Sequence, residues 1–373
     1  MDLKRIHEIK GLASCLHPTN LSLFLLTKKN DKFIISEMDL YTGAIFKQYN
    51  PPFLQPNTSY HSKTINRYEK FTLYFLELQN KLAFLYPYAY IAFFDYESAA
   101  LVNVFHLHGK YEYYVSSSCI SELSSNNLLV FFTTVNGHSV YAIETKGTAV
   151  HYHVTKKLPL TPGLIVLQLC YYSNAGSVYA ACSDGRIHVW DYLNGKQLAG
   201  FGHAEKNVTG ASLSLDMCTQ KLLYGNSLGA ISIWDISRIA SKDYFENKHF
   251  GVEAICWLPT LRSSKDLFFA STFSNGFLSI FKYNVDNKPK AEEVISLEVV
   301  KDRVSFSIEM DHNDLIMMHK RFPFIVSAWP KAKGKRSSKY AIAVIEQATS
   351  PTTELAVTNN LIYRKYVDLV ICL

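Results

Sequence analysis

The chain contains 373 residues, of which 48% are hydrophobic, 14% aromatic and 19% charged. This amount of apolar material suffices for a sizeable core, which excludes a chain disordered throughout. The 17 glycines and 12 prolines are too few for a collagen-like chain. The formal net charge is +6, but residues 331–339 hold five basic residues and no acidic one. The other 33 basic residues nearly balance the 32 acidic ones, which argues against a broad nucleic-acid-binding face.

Three features of the sequence indicate the cellular compartment: the N-terminus, the longest uncharged stretch and the cysteines. Residues 1–8 lack the apolar region of a signal peptide. The uncharged stretch 158–183 contains Pro159, Pro162 and a polar turn at 173–176, and it therefore predicts two strands and a turn rather than a membrane helix. The seven cysteines are scattered and form no Cys-x-x-Cys motif, which argues against disulfides and a zinc site. We expect a soluble intracellular protein with no membrane partner.

Taken in chain order, the predicted strands follow a repeat. Residues 3–9 form the first predicted strand, and seven later strands of alternating apolar residues end in a similar mark, 44 to 56 residues apart. These marks are Met38, Phe94, Ala142, Trp190, Trp234, Phe281 and Trp329. A unit of this length holds about four short strands, which is typical of a propeller blade.

The sequence thus predicts an all-β fold: a single β-propeller domain over 1–373, built from four-stranded antiparallel blades. Seven blades are preferred, with eight as the alternative. The strand at 3–9 would close the ring as an outer strand, because closure removes free sheet edges. Residues 331–339 would form a basic surface loop, and 341–373 would supply strands of the last blade or an extra blade.

Two segments carry a family resemblance. Ser183-Asp184-Gly185 precedes Trp190-Asp191, and Gly202-His203 precedes Trp234-Asp235. Over roughly 165–285 the chain resembles the WD-repeat family of β-propellers. The resemblance implies that its motif residues are structural, with the His, Ser, Asp and Trp side chains hydrogen-bonded together: Ser183, Asp184, Trp190, Asp191, Gly202, His203, Trp234 and Asp235.

The chain departs from the family pattern in both segments. No clear Gly-His precedes the copy with Asp184, and Leu228 stands where the copy with His203 should have an Asp. We expect aromatic packing to replace the missing polar contacts.

Several residues invite a catalytic or metal-binding interpretation. Residues 225–229 match the Gly-x-Ser-x-Gly nucleophile motif but run into a strand instead of a helix, and they predict a turn.

Two histidine pairs could each present both rings on one strand face and so suit a metal, but neither has a nearby third ligand. We therefore expect them to be rim histidines: His106 with His108, and His151 with His153. The recurrent aspartates 39, 95, 191 and 235 are predicted to open turns. The sequence therefore predicts no catalytic residue, no metal and no cofactor.

Two aromatic runs and the basic segment are candidates for binding nucleic acid. The runs at 84–90 and 111–114 are predicted to pack in the core or between sheets rather than to stack on bases. The basic segment is predicted to be a nuclear import signal, a phosphate contact or a plain loop. Its basic residues are Lys331, Lys333, Lys335, Arg336 and Lys339.

With no nucleophile–base pair and no phosphate loop, the chain is expected to be a protein-interaction scaffold and not an enzyme. The resemblance implies a WD-repeat subunit of a multiprotein complex whose partners are other proteins. The basic segment favours the nucleus over the cytoplasm, with a role in chromatin or in RNA and ribosome maturation. Two alternatives stay open: an RNA-binding accessory subunit, and a propeller hydrolase. No small-molecule substrate is expected.

Overall fold

The structure, a computed structural model, describes most of the chain in 21 separate stretches. These are residues 2–9, 13–17, 20, 22–30, 32–39, 43–52, 71–107, 115–135, 137–146, 154–202, 208–217, 219–237, 240–246, 250–258, 266–274, 277–284, 291–298, 304–309, 324–330, 340–346 and 369–372. Within them the secondary structure is almost entirely strand, with one short 3₁₀ turn at Ser173–Ala175. None of the described residues forms a helix with the length and apolar character needed to span a bilayer.

Six four-stranded antiparallel sheets account for most of the strands, and each is built from four strands consecutive in the chain. The first three sheets consist of β2 (Ala13–Leu16), β3 (Ser22–Lys29), β4 (Lys32–Asp39) and β5 (Ile45–Tyr49); β6 (Thr72–Leu76), β7 (Lys81–Leu85), β8 (Tyr90–Asp95) and β9 (Leu101–His106); β10 (Val115–Ser124), β11 (Asn127–Thr134), β12 (Ser139–Lys146) and β13 (Val154–Pro159). The next three consist of β14 (Val166–Tyr172), β15 (Ser177–Cys182), β16 (Ile187–Asp191) and β17 (Lys196–Phe201); β18 (Gly210–Asp216), β19 (Lys221–Asn226), β20 (Ala230–Asp235) and β21 (Ala240–Glu246); β22 (Val252–Leu258), β23 (Asp266–Phe273), β24 (Phe277–Asn284) and β25 (Ala291–Glu298).

The remaining described strands pair differently. Strands β26 (Val304–Glu309), β27 (Phe324–Pro330) and β29 (Leu369–Cys372) form a three-stranded sheet in which β29 runs parallel to β27. The N-terminal strand β1 (Asp2–Ile9) pairs antiparallel with β28 (Tyr340–Glu346). The strand predicted at 3–9 is therefore present, and it pairs with a strand at the start of the segment 341–373, where further strands are predicted.

The predicted repeat is confirmed in the six four-stranded sheets, and the predicted marks up to Phe281 all lie in the third strand of their sheet. In five sheets the pairing of the third strand with the fourth is interrupted by one extra residue on the fourth strand, a β-bulge. The extra residues are Val102, Thr155, Leu198, Lys242 and Val294. The bulge falls at Phe94, Trp190, Trp234 and Phe281, and at Ile143, one residue after the predicted Ala142.

The seventh predicted mark departs from the others. Trp329 lies in β27, which is the middle strand of a three-stranded sheet with one antiparallel and one parallel neighbour. The all-β class and the four-stranded antiparallel building unit are thus established for the described residues between 13 and 298.

The chain divides into two compact units. One consists of Met1–Leu25, Glu37–Phe46 and Ser214–Leu373, and the other of Leu26–Ser36 and Lys47–Leu213. The single domain predicted over 1–373 stays a prediction.

The uncharged stretch 158–183 contains the two strands and the turn that its sequence predicts. The 3₁₀ turn at Ser173–Ala175 ends at Gly176, whose positive φ of 62° lets the chain reverse into β15. Strand β15 is buried along its whole length, as expected for a continuous apolar run covered on both faces.

Aromatic side chains fill much of the core. Phe84 and Tyr86 are fully buried, and their rings pack 4.2 Å apart, each also contacting Phe33 edge-on. Burying a side chain of this size stabilises the fold by about 1.5–3 kcal/mol. The core position predicted for the run at 84–90 is confirmed for Phe84 and Tyr86, whereas 111–114 lies outside the described residues.

Successive sheets meet through their first strands. The Tyr74 hydroxyl in β6 donates to the Ser118 carbonyl in β10 at 2.9 Å. Leu213 N donates to the Gln168 side chain across β14 and β18 at 2.9 Å. Trp257 N in β22 donates to Ser214 Oγ in β18 at 3.0 Å. The first strand of one sheet thus lies beside the first strand of the next.

No disulfide joins the cysteines whose side chains are described, which are Cys15, Cys119, Cys170, Cys182 and Cys256.

Candidate functional site

The candidate site is the hairpin turn between β15 and β16, where the residues of one predicted motif lie. Gly185 N donates to Cys182 O at 3.1 Å, and Cys182 N donates to Arg186 O at 3.0 Å. Gly185 has a φ of 76°, a conformation that glycine adopts without steric cost. The tight turn places Cys182 and Asp184 on the same side as His188, which follows in β16.

A chain of hydrogen bonds links three side chains across this hairpin. Asp184 Oδ2 lies 2.8 Å from His188 Nε2, and Asp184 Oδ1 accepts from Arg186 N at 3.1 Å. On the other side of the ring, the Gln197 amide nitrogen lies 3.0 Å from His188 Nδ1. An ionised Asp184 accepts from Nε2–H, which leaves Nδ1 as the acceptor for the Gln197 amide. The imidazole is therefore held at both nitrogens.

An open depression of about 440 Å³ lies in front of this hairpin. Its lining consists of Thr161, Pro162, Gly163, Leu164, Ser183, Asp184, Arg186 and His188. Asp184 is half-buried and His188 is buried, so that the carboxylate and the imidazole face a space large enough for water or a small ligand.

The site lacks an activated nucleophile. Burial raises the pKa of the Cys182 thiol, and the nearby Asp184 charge raises it further. Since the thiolate is the reactive form, Cys182 is a poor nucleophile at neutral pH. Ser183 Oγ accepts a hydrogen bond from Ile165 N at 3.0 Å and serves to fix the loop before β14.

The two motif tryptophans make separate contacts. Trp190 is fully buried, its Nε1 donates to Pro159 O at 2.8 Å, and its ring stacks on His188. Trp234 Nε1 donates to Ser232 Oγ at 2.8 Å within its own strand. The hydrogen bond that each indole makes is therefore to a residue other than Ser183 or Asp184. His203, which the resemblance adds to this group, lies outside the described residues, and Gly202 has a φ of 115°.

The recurrent aspartates sit where their strands turn. Asp95 Oδ1 accepts from Ser98 N at 2.8 Å, and Asp191 Oδ1 accepts from Asn194 N at 3.1 Å. Side-chain and backbone hydrogen bonds from Ser98 and Asn194 lower the pKa of the two carboxyls. At Asp39 the turn is closed by the backbone, with Gly43 N donating to Asp39 O at 2.9 Å. The geometry is that of turns opened by Asp, as the sequence predicts.

The Gly-x-Ser-x-Gly segment is a hairpin turn between β19 and β20. Asn226 Oδ1 accepts from Leu228 N and from Ala230 N, each at 3.0 Å, and Gly229 has a φ of 91°. The prediction of a turn at 225–229 is confirmed.

The other sequence candidates contribute less to a site. The His106 ring packs against the Tyr90 ring, with 4.4 Å between the two ring centres. His108, His151 and His153 lie outside the described residues, as do the basic residues between 331 and 339.

The cluster of Cys182, Asp184 and His188 was not singled out by the sequence. One ligand atom from each of the three lies within 4.8 Å of the others. The three residues include one histidine and one cysteine, so they form neither a histidine pair nor a Cys-x-x-Cys motif. The sequence signal is Cys-x-Asp-Gly-x-x-His, in which the glycine turns the chain so that the three side chains meet.

Comparison with known proteins gives a fold relationship only. Neither the protein-family models nor the curated proteins yield a match to this chain. Among solved structures, the crystal structure of Chaetomium thermophilum Raptor is similar, with a TM-score of 0.63 and 14% sequence identity. The likeness covers 94% of this chain and 30% of the Raptor chain, so that this chain spans less than a third of Raptor's length. At this identity the likeness shows a shared fold and says nothing of function.

Proposed function

We propose that the chain is a non-catalytic scaffold, a WD-repeat-like β-propeller that holds other proteins of a multi-subunit complex. The observation that carries the proposal concerns the described side chains. Acidic groups close turns, whereas several large apolar side chains face solvent. Solvent-facing apolar side chains on a rigid frame are what a protein partner buries on binding.

A closed ring of seven blades is the arrangement that we propose for the sheets. The first-strand contacts between successive sheets support it, because blades of a propeller meet at their inner strands. Pairing of β1 with β28 supports closure through the N-terminal strand. Strands β2 and β26, which begin the first and the last sheet, come within 8 Å of each other between Cα atoms. Eight blades remain the alternative.

Two exposed leucines, Leu78 and Leu123, give the scaffold proposal a defined surface. Leu78 is 58% exposed in the turn between β6 and β7, and Leu123 is 45% exposed at the end of β10. Glu122 joins the two places, because its carboxylate accepts from Leu78 N at 3.2 Å and from Gln79 N at 3.1 Å. The two leucines therefore stand at the same end of neighbouring sheets, which the Glu122 carboxylate links through the backbone N–H groups of Leu78 and Gln79.

Binding of partners by tagged full-length protein in moderate salt tests the proposal. We expect one set of proteins to be retained by the wild type and lost by the double variant Leu78→Glu/Leu123→Glu. Leu228→Glu, which changes an equally exposed leucine in another turn, is the matched control and should retain them. Equal retention by both variants would remove the leucine pair from the proposal. A wild type that retains no protein would end the scaffold proposal itself.

The nuclear and RNA-related roles are proposals that rest on the basic segment alone. Replacing its five basic residues by glutamine should move a fluorescent fusion out of the nucleus if the segment is an import signal. If the segment contacts RNA, the same change should instead abolish RNA binding that weakens steeply with salt. Ser227→Ala is expected to have no effect, and lost hydrolysis in this variant would favour the hydrolase alternative.

A further inference from the structure

We propose that Cys182, Asp184 and His188 form a binding site for a divalent transition-metal cation, with zinc as the best match to these donors. The inference departs from the sequence prediction of no metal site, and it rests on geometry rather than on the scaffold proposal. A thiol, a carboxylate and an imidazole are the three ligand types that zinc takes in proteins.

The spacing of the ligand atoms suits one small cation. The three atoms lie within 4.8 Å of one another, and Asp184 Oδ2 and His188 Nε2 are already 2.8 Å apart. Zinc in a tetrahedral site spaces a sulfur and a nitrogen ligand by about 3.5 Å. Closing the cluster around a cation therefore requires shifts of about 1 Å, which side-chain rotation of Asp184 at the turn can provide.

The charges of the three ligands also favour a divalent cation. Cys182 is fully buried, and within the described part of the chain its thiol makes a long contact of 3.7 Å to Ala180 O. On binding, the Cys182 S–H bond breaks, a sulfur–metal bond forms and the proton leaves to solvent. One thiolate, one carboxylate and a neutral imidazole then balance a charge of +2, so that no net charge is buried.

Gln197 provides the second contact that a metal-bound histidine needs. Its amide nitrogen lies 3.0 Å from His188 Nδ1, an arrangement that suits a proton on Nε2, toward Asp184. With metal on Nε2, the proton moves to Nδ1 and the Gln197 amide turns to accept it through its oxygen. Either state of the ring is thus satisfied, and the ring plane is held toward Asp184 in both.

The depression in front of the hairpin leaves room for the rest of the coordination shell. Asp184 and His188 both line it, and it is open to solvent. Three protein ligands with a water in the fourth position would complete a tetrahedron.

Titration of the full chain with Co²⁺, after removal of metals and of any affinity tag, tests the site. We expect one Co²⁺ per chain, with the absorption of tetrahedral Co²⁺ and a thiolate-to-metal charge-transfer band, and displacement of both by Zn²⁺. Cys182→Ser should abolish the charge-transfer band, and Asp184→Asn and Gln197→Ala should weaken binding by about 10- to 100-fold. Binding should also weaken as the pH falls, because protons compete for the ligands.

Cys256→Ser is the control, since Cys256 is also buried but belongs to no such cluster among the described residues. It should bind Co²⁺ as the wild type does. Absence of the charge-transfer band in the wild type would overturn the proposal, and so would its persistence in Cys182→Ser. Gln197→Ala changes an exposed residue outside the cluster, so its weaker binding can be read even if Cys182→Ser fails to fold.

Discussion

The ammonium nitrogen of Lys156 lies 2.6 Å from the carbonyl oxygen of Tyr192 and 5.0 Å from the centre of the Tyr192 ring. Lys156 belongs to β13, the fourth strand of one sheet, whereas Tyr192 follows Asp191 in the turn after the third strand of the next sheet. The lysine therefore links the edge strand of one sheet to a turn of the neighbouring sheet, through a charge-assisted hydrogen bond and a cation–π contact.

The same contact occurs at a second place in the chain. Lys47, in the fourth strand β5, donates to Tyr96 O at 2.6 Å, and its ammonium lies 4.2 Å from the centre of the Tyr96 ring. Tyr96 follows Asp95, as Tyr192 follows Asp191. An Asp-Tyr pair at the end of a third strand thus has two roles. The Asp closes its own turn, and the Tyr contacts a lysine of another sheet through its carbonyl oxygen and its ring.

Lys156→Met should lower the free energy of unfolding by about 1–2 kcal/mol, because it removes the charged donor while keeping much of the apolar side chain. Urea unfolding followed by circular dichroism measures the change. Lys196→Met, an exposed lysine in β17, is the control and should shift stability by less than about 0.5 kcal/mol. Equal effects of the two substitutions would mean that the contact between the sheets contributes nothing.

The repeat could be predicted because its marks are chemically conspicuous. Trp190, Trp234 and Phe281 each lie beside a bulge, where the third strand needs a large buried side chain. In the third sheet the predicted mark, Ala142, lies one residue before the bulge. The residue at the bulge is Ile143, which lacks an aromatic ring. Period and residue type thus reveal a repeat, but they fix its register only where a bulky residue marks the bulge.

Contacts between elements distant in the sequence could not be predicted. Trp190 donates to Pro159, which comes from another sheet, and nothing in the local sequence around Trp190 names that acceptor. The pairing of β29 parallel to β27, with β28 joined to β1, depends on how the chain ends pack. Strand propensity identifies such segments as strands and leaves their neighbours undetermined.

Gly185→Ala should destabilise the protein by more than the same change at Gly163. Both glycines have a positive φ, of 76° and 81°, which alone costs an alanine about 1–2 kcal/mol. At Gly185 an added Cβ would also lie 3.0 Å from Val208 O, whereas nothing lies within 4 Å of one at Gly163. We expect a loss of about 3 kcal/mol at Gly185 and of about 1 kcal/mol at Gly163. Matching losses in urea unfolding would contradict the packing of Val208 on the turn.

Asn226→Ala should cost about 1–3 kcal/mol of stability, because it deprives Leu228 N and Ala230 N of the acceptor that they share, the oxygen of the buried Asn226 side chain. Asn226→Asp keeps an acceptor oxygen and should recover most of the loss. Leu228→Ala changes an exposed side chain in the same turn and serves as the control. Thermal unfolding of the three variants side by side gives the order. An Asn226→Ala protein as stable as the control would exclude the capping role of the amide.

The ion pair between Lys221 and Asp235 predicts a specific loss of stability in acid. Lys221 Nζ lies 2.7 Å from Asp235 Oδ2, and both side chains are largely buried, at 13% and 17% exposure. Burial alone raises the pKa of Asp235, but hydrogen bonds from Lys221 and Ser237 and the ammonium charge outweigh it and lower the pKa to about 2. A carboxyl whose pKa is lower in the folded state stabilises the fold above its unfolded pKa, and that stabilisation disappears as the pH falls through the folded value.

Asp235→Asn should therefore lower the free energy of unfolding by about 1–2 kcal/mol at pH 7 and by progressively less between pH 4 and pH 2. Urea unfolding of the wild type and the variant at a series of pH values measures the difference. Glu292→Gln, an exposed carboxylate in β25, is the matched control and should give a difference near zero at every pH. A gap between wild type and Asp235→Asn that stays constant down to pH 2 would show that the Asp235 carboxylate contributes through packing of its side chain, since a contribution from its charge must vanish when the group is protonated.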